Sequence, residues 1–200
     1  VYAKRAILAA GATERLIGFA DNDRPGIMQA GAVRGYVNRF AATPADHIAI
    51  FTNNDDGHRT AADLAAAGVD VTAIIDSRPD APHSDVAELF AGAVVTGSSG
   101  RLGLGGVSLQ LADGGHKHLH CGALAVSGGW NPNVHLTCHH RGRPVWKDEI
   151  AAFVPGEGVP PGMAVAGAAR GIFSTAGALA DGEAQAIAQL EELGMKAAGS

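Results

Sequence analysis

The run Leu124-Ala-Val-Ser-Gly-Gly-Trp-Asn-Pro-Asn-Val-His135 and, far upstream, Arg5-Ala-Ile-Leu-Ala-Ala-Gly-Ala-Thr-Glu-Arg15 follow one plan. Each is a short apolar segment that stops at glycine and passes into a polar turn. A buried strand reads this way when its carboxyl end opens onto a ligand crevice. Two such ends, separated by a complete strand–helix–strand unit, point to an α/β fold. The expected architecture is a dinucleotide-binding domain of the flavoprotein type with a second, Rossmann-like βαβ domain inserted into it. The glycine-rich fingerprint that begins such a fold is not in this chain, so the sequence reads as part of a larger protein.

With 200 residues, 46% of them hydrophobic, the chain can bury one large core or two small ones. Its 28 glycines fit the tight strand–helix joints of α/β folds, and with 5% aromatics the core must be built from Ala, Val, Leu and Ile. A formal charge of −5 and a pI near 6.0, with no Lys/Arg run to neutralise phosphates, argue against nucleic acid. No apolar segment approaches the roughly 20 residues that span a bilayer, so no membrane contact is expected. Nor does Val1 open the basic and apolar regions of a signal peptide. Two cysteines, Cys121 and Cys138, are too few for a disulfide scaffold, which makes a reducing cytoplasm the expected location.

Along the chain, Lys4–Ala10 reads as a strand ending at Gly11, and 12–26 as a loop with the turn cluster Asp21-Asn-Asp-Arg-Pro-Gly26. The spacing of Ile27, Ala30, Val33, Val37 and Phe40 predicts a helix over 27–40. His47–Phe51 reads as an apolar strand and Gly57–Ala67 as a helix stopped by Gly68. Val69–Asp76 is a second strand, completing a right-handed parallel crossover. Ser84–Phe90 reads as a short helix capped near Ser84. Residues 93–121 read as two or three antiparallel strands, and Leu119–Ser127 as the return to the first domain. Residues 131–162 read as mostly irregular, Met163–Gly167 as a last strand, and Ile172–Leu193 as a long helix with Glu191 and Glu192 near its end. The expected domains are therefore 1–45 and 121–200 for the first body and 46–120 for the insertion.

A nucleotide-binding crossover places G-x-G-x-x-G after its first strand, so that backbone approaches a pyrophosphate at the helix start. Here the turn is Thr52-Asn-Asn-Asp-Asp-Gly57, in which only Gly57 remains and Asp55 and Asp56 bring negative charge. Asp76 stands where a ribose-binding acid belongs, without the rest of its motif. A structural remnant is the favoured reading. The strand ends Ala10-Gly-Ala-Thr13, Ser127-Gly-Gly129 and Ala166-Gly-Ala168 are better ligand candidates, because small residues permit close approach, although tight turns use glycine anyway. Of the histidines, His116, His118 and His120 alternate on what should be one exposed strand face, while His139 and His140 adjoin Arg141 and Arg143; solvated or interface roles are favoured over a metal. No nucleophile–base pair stands out. Ser98-Ser-Gly100 lacks a G-x-S-x-G setting, and the acidic pairs Asp55-Asp56 and Asp148-Glu149 are adjacent, so they point different ways.

The runs Ala10-Gly-Ala-Thr-Glu-Arg15 through Asp21-Asn-Asp-Arg-Pro-Gly-Ile-Met28, Phe51-Thr-Asn-Asn-Asp55, Asp63-Leu-Ala-Ala-Ala-Gly-Val69 and Ala125-Val-Ser-Gly-Gly-Trp-Asn-Pro-Asn-Val-His-Leu136 resemble, in order, the alpha subunit of heterotetrameric sarcosine oxidases. Ala152-Phe-Val-Pro155 and Ala166-Gly-Ala-Ala-Arg-Gly171 continue the resemblance over nearly the whole chain. It implies a glutathione-reductase-type fold with two dinucleotide domains. It also implies an enzyme that oxidatively demethylates sarcosine to glycine, yielding peroxide and, with tetrahydrofolate, methylenetetrahydrofolate. In enzymes of that family, the resemblance implies, the amine is oxidised at FAD in the beta subunit, FMN at the alpha–beta boundary passes electrons to oxygen, and the alpha subunit holds an NAD that is not turned over. The positions matching ligand-lining strand ends are Gly11, Thr13, Gly128, Gly129, Gly167 and Ala168, with no catalytic residue and no metal ligand in this chain.

Ala168 departs from the pattern, since flavin reductases of this fold usually carry an aspartate there in a Gly-Asp pair. The folate-binding region expected after the last helix is also missing. Alone, the chain is expected to oxidise nothing and to bind and scaffold instead. Two alternatives remain open: part of the alpha subunit of a related amine, opine or proline dehydrogenase, and a non-catalytic assembly module.

Overall fold

Strands that are apolar at nearly every position need a cover on both faces, and the chain supplies two different covers. The structure, a computed structural model, describes residues 3–196. In chain order its elements are β1 (Ala6–Leu8), β2 (Ala12–Glu14), β3 (Ile27–Gln29), α1 (Ala30–Phe40), β4 (His47–Thr52), α2 (Asp55–Ala66), β5 (Asp70–Asp76), β6 (Glu88–Ala91), β7 (Val94–Ser99), β8 (Gly106–Gln110), β9 (His116–His120), β10 (Ala123–Ser127), β11 (Trp130–Pro132), β12 (Val145–Lys147), β13 (Ala152–Val154), β14 (Met163–Val165) and α3 (Thr175–Glu192).

The chain divides into two compact units, changing from one to the other at 13/14 and again at 129/130. In the unit 14–129, five parallel strands run in the order β3-β10-β4-β5-β6. Ile48, Ile50, Ile74, Ala123 and Ala125 face Ala30 and Val33 of α1 and Ala61 and Leu64 of α2. The alternate residues Ala49, Phe51, Ile75, Leu124 and Val126 face Val95, Val107, Leu109 and Leu119 of the antiparallel meander β7-β8-β9. The α/β class, the parallel crossover and the antiparallel run are therefore as expected. Cys121 lies in the meander-side core, where burial pushes its thiol up to about 11, so it is an inert core residue.

Several expectations need correction. Ser84–Phe90 is not a helix: Glu88–Ala91 is a strand parallel to β5. Residues 27–29 are a strand, and the helix begins only at Ala30; Phe40, at the far end of the supposed apolar face, is 70% exposed. The loop at 12–26 contains β2, and the irregular 131–162 region contains β12 and β13. Most consequential, β10 is no return to the first domain. It lies between β3 and β4 in the middle of the parallel sheet, so residues 14–45 and 121–129 belong with the inserted body and not with the first one.

In the other unit, β1 pairs with β14 in parallel, β2 with β11, and β12 with β13 in antiparallel. Ser174 caps α3, its hydroxyl accepting from Gly177 N at 3.2 Å, and Arg5 meets Glu192 near the helix end at 2.8 Å. Val145, Trp146 and Phe153 of the β12–β13 hairpin stand about half exposed. Among the described residues, no helix is long and apolar enough to cross a membrane.

Candidate functional site

Parallel sheets offer ligands the carboxyl ends of their strands. In the unit 14–129 those ends are Gln29, Ser127, Thr52, Asp76 and Ala91. The turn after β4 occupies its own ligand position. Thr52, Asn54 and Gly57 fall where the three fingerprint glycines would. Asn54 caps α2, its Oδ1 accepting from Asp56 N at 3.0 Å while its Nδ2 donates to the Ser127 carbonyl at 3.0 Å. The backbone donor that would face a pyrophosphate is thus taken by a side chain.

The acids are equally committed. Asp76 is fully buried and accepts from His58 Nε2 at 2.8 Å, from the Arg78 backbone N–H at 2.9 Å and from Arg78 Nη2 at 2.8 Å. Arg78 reaches on to Asp55 at 2.9 Å, and Arg34 reaches Asp56 at 3.5 Å. Burial alone would raise the Asp76 carboxyl. The Arg78 side chain and backbone, with His58, more than reverse this and hold it below its usual value. The Asp76 bonds hold the Arg78 guanidinium more firmly protonated in return. A ribose hydroxyl would have to displace this network.

Glu14 is a buried acid with no local sequence signature. Its Oε2 accepts from Gly31 N at 2.9 Å, capping an α1 terminus whose own N-cap residue, Gln29, makes no side-chain cap. Among the described residues its Oε1 has no hydrogen-bond partner, and burial pushes the carboxyl above its usual value despite the Gly31 bond. The folded state therefore binds the proton more tightly than the unfolded one, and stability is lost as pH rises through the folded value. Glu14→Gln, which removes that charge, should gain stability relative to the parent as pH increases; urea unfolding across pH checks the direction, and a gap that shrinks with rising pH would contradict it.

The six candidate contact residues fall in both units. Gly128 and Gly129 pack on the chain around Arg15. A Cβ at Gly128 would lie 2.9 Å from the Arg15 carbonyl, one at Gly129 (φ 89°) would lie 2.7 Å from Arg15 Nη2, and the two turns exchange backbone bonds of 2.8 and 2.9 Å. The other four gather in the second unit. Gly11 and Gly167 follow the adjacent parallel strands β1 and β14. Gly11 has a φ of 72°, and a Cβ on it would meet nothing within 4 Å among the described residues. Thr13 Oγ1 donates to Asn133 Oδ1 at 3.1 Å, and Asn133 holds the Gly11 and Ala10 carbonyls through its N and Nδ2 at 3.0 and 2.8 Å. Gly167 N donates to Asp181 Oδ2 at 2.8 Å, while Asp181 Oδ1 meets Arg170 at 2.6 Å. Ala168 is half-buried in the turn that Asp181 pins. The acid at this turn thus comes from α3, fourteen residues on from Gly167, a spacing with no sequence signature.

Over 98% of its length the chain is 44% identical to the sarcosine oxidase subunit alpha of Rhizobium meliloti (strain 1021). Over the same share it is 39% identical to that of Corynebacterium sp. (strain P-1). The chain is similar to a segment of the sarcosine oxidase alpha subunit. It covers 20% and 21% of those two relatives' length. No family model matches it. Among solved structures, L-proline dehydrogenase from P. horikoshii superposes with a TM-score of 0.72 at 20% identity, covering 98% of this chain and 36% of that one. Thioredoxin reductase from T. acidophilum gives 0.71 at 17%, covering 96% and 66%. The fold is that of FAD/NAD(P)-binding oxidoreductases.

Proposed function

We propose that this chain is the dinucleotide-binding and scaffolding segment of the alpha subunit of a multisubunit flavoprotein oxidase that demethylates sarcosine to glycine. The similarity to sarcosine oxidase alpha subunits over almost every residue supports the enzyme class. The pair of small-residue strand ends at Gly11 and Gly167 carries the binding role. Adjacent parallel strands ending in glycine, with open space over Gly11, suit a dinucleotide backbone. NAD would lie against Gly11, Thr13, Gly167 and Ala168 as a resident group that is not turned over. Thr13 and Asn133 fix the first turn, and Asp181 fixes the second. Gly128 and Gly129 serve by setting Arg15 and its turn. In this proposal FAD, FMN, the amine and tetrahydrofolate sit outside this chain, with the beta subunit and the other members of a heterotetramer, in the cytoplasm.

The self-satisfied turn at 52–57 supports one further point: the unit 14–129 does not run pyridine-nucleotide chemistry. That disfavours a dehydrogenase with an active nucleotide site there. Calorimetric titration of NAD into the 200-residue chain and into the full-length subunit tests the binding role. The full-length subunit should bind NAD, and Gly11→Val should weaken binding at least about tenfold, because a β-branched residue fits poorly at positive φ. Thr13→Val, which leaves the backbone free, should weaken it less. Tight binding that survives Gly11→Val, or no binding by the full-length subunit, would overturn the site. Oxygen uptake with sarcosine, against dye reduction with proline or opines, separates oxidase from dehydrogenase.

A further inference from the structure

β9 turns His116, His118 and His120 to solvent, while Leu119 packs into the core and Lys117 lies over the Phe90 ring. Alternation alone makes the three histidines alike, but the fold does not. The rings of His118 and His120 stand 4.9 Å apart between centroids at 64°. The space comes from Gly106 on β8, directly opposite His120 in the ladder. A Cβ at Gly106 would lie 2.5 Å from Cε1 and 3.1 Å from Nε2 of His118, so that imidazole lies over bare backbone. Its Nε2 is 3.0 Å from Ser99 Oγ, and Ser99 is the β7 partner of the same glycine. Three strands therefore build one small surface feature: a glycine floor, two imidazoles and a hydroxyl.

Two imidazoles on one metal ion, each with an M–N distance near 2.05 Å, have centroids about 3.2 Å from the ion, hence about 4.5 Å apart at a right angle and about 5.2 Å apart at the tetrahedral angle. The observed 4.9 Å falls between these values. We propose that His118 and His120 form a bidentate site for a divalent late first-row metal ion. Among the described residues no group of three or more His, Cys, Asp or Glu comes together, so the ion keeps open positions for water and, beside His118, for the Ser99 hydroxyl. Such a site is open and exchangeable rather than structural, and it takes Cu²⁺ ahead of Ni²⁺ or Zn²⁺.

The probes are Cu²⁺ followed by electron paramagnetic resonance and Ni²⁺ followed by calorimetry, on the purified protein. The parent should show two equatorial imidazole nitrogens. His118→Gln and His120→Gln should each leave one nitrogen and weaken binding at least about tenfold, the lower end of what even an outer-sphere partner contributes. His116→Gln should keep the two-nitrogen spectrum. Exposed substitutions of this kind leave the fold intact. Binding unchanged by both His118→Gln and His120→Gln, or lost instead on His139→Gln or His140→Gln, would overturn the assignment.

Discussion

Asp76→Ala should cost the unit 14–129 about 3 kcal/mol, because it removes the buried acceptor to which the half-buried Arg78 guanidinium and His58 are tied. The Asp76 carboxylate is wholly enclosed, and its oxygens take bonds from His58, from the Arg78 backbone and from the Arg78 side chain. Removing it leaves Arg78 with Asp55, whose side chain is mostly in water, and leaves His58 without its acceptor. Arg78→Met should cost less, since Asp76 keeps His58 and the residue-78 backbone N–H. The pH dependence has a definite sign. Asp76 is depressed in the folded protein, so its contribution is present above the unfolded carboxylate value of about 3.9 and disappears as pH falls through the folded value. The gap between parent and Asp76→Ala should be full at pH 7 and should close in acid. Urea midpoints with unchanged m values measure it. A gap of the same size at pH 7 and at the acid limit would mean that packing, not charge, is lost.

What was legible in the sequence followed from covering two faces of one sheet. His47–Phe51 and Val69–Asp76 are apolar throughout, and that pattern has one good solution, a parallel crossover under helices on one side and other strands on the other. The errors came where two periodicities coincide. Val86, Leu89 and Phe90 satisfy helical spacing, yet Leu89 packs on the helix-side core and Phe90 on the meander side, as adjacent strand residues must. Pairing with β5 decided between them, and that pairing is not local. The same holds for Ile27–Gln29 and for β10, whose place in the middle of the sheet moved both unit boundaries. At the candidate site, Asp76 and Gly57 were visible because the crossover motif fixes their positions. Arg78, Glu14 and Asp181 act on partners set by folding, and the pairing of His118 with His120 depends on a glycine ten residues or more away on another strand.

Gly57→Ala should also cost about 3 kcal/mol, the upper end for overpacking, at a helix position where alanine ordinarily gains about 1 kcal/mol over glycine. A Cβ on Gly57 would lie 2.4 Å from both Cβ and Oγ1 of Thr52 and 2.8 Å from its Cγ2. Thr52 cannot turn away. It is fully buried, its hydroxyl donates to the Asn54 carbonyl at 3.0 Å, and it accepts from Asn54 N at 3.1 Å. The helix would have to lift off β4, breaking the contacts of Ala61 and Leu64 with the sheet. This is the packing role of the third glycine of such a fingerprint, at a turn whose first two glycine positions hold Thr52 and Asn54. Thr52→Ser leaves the Cβ in place and should not rescue the variant; Thr52→Gly removes it and should recover most of the loss in a double-mutant cycle. If Gly57→Ala instead stabilises the protein, close helix–strand contact is not what retains this glycine, and a role for the 52–57 turn in binding a ligand regains its footing.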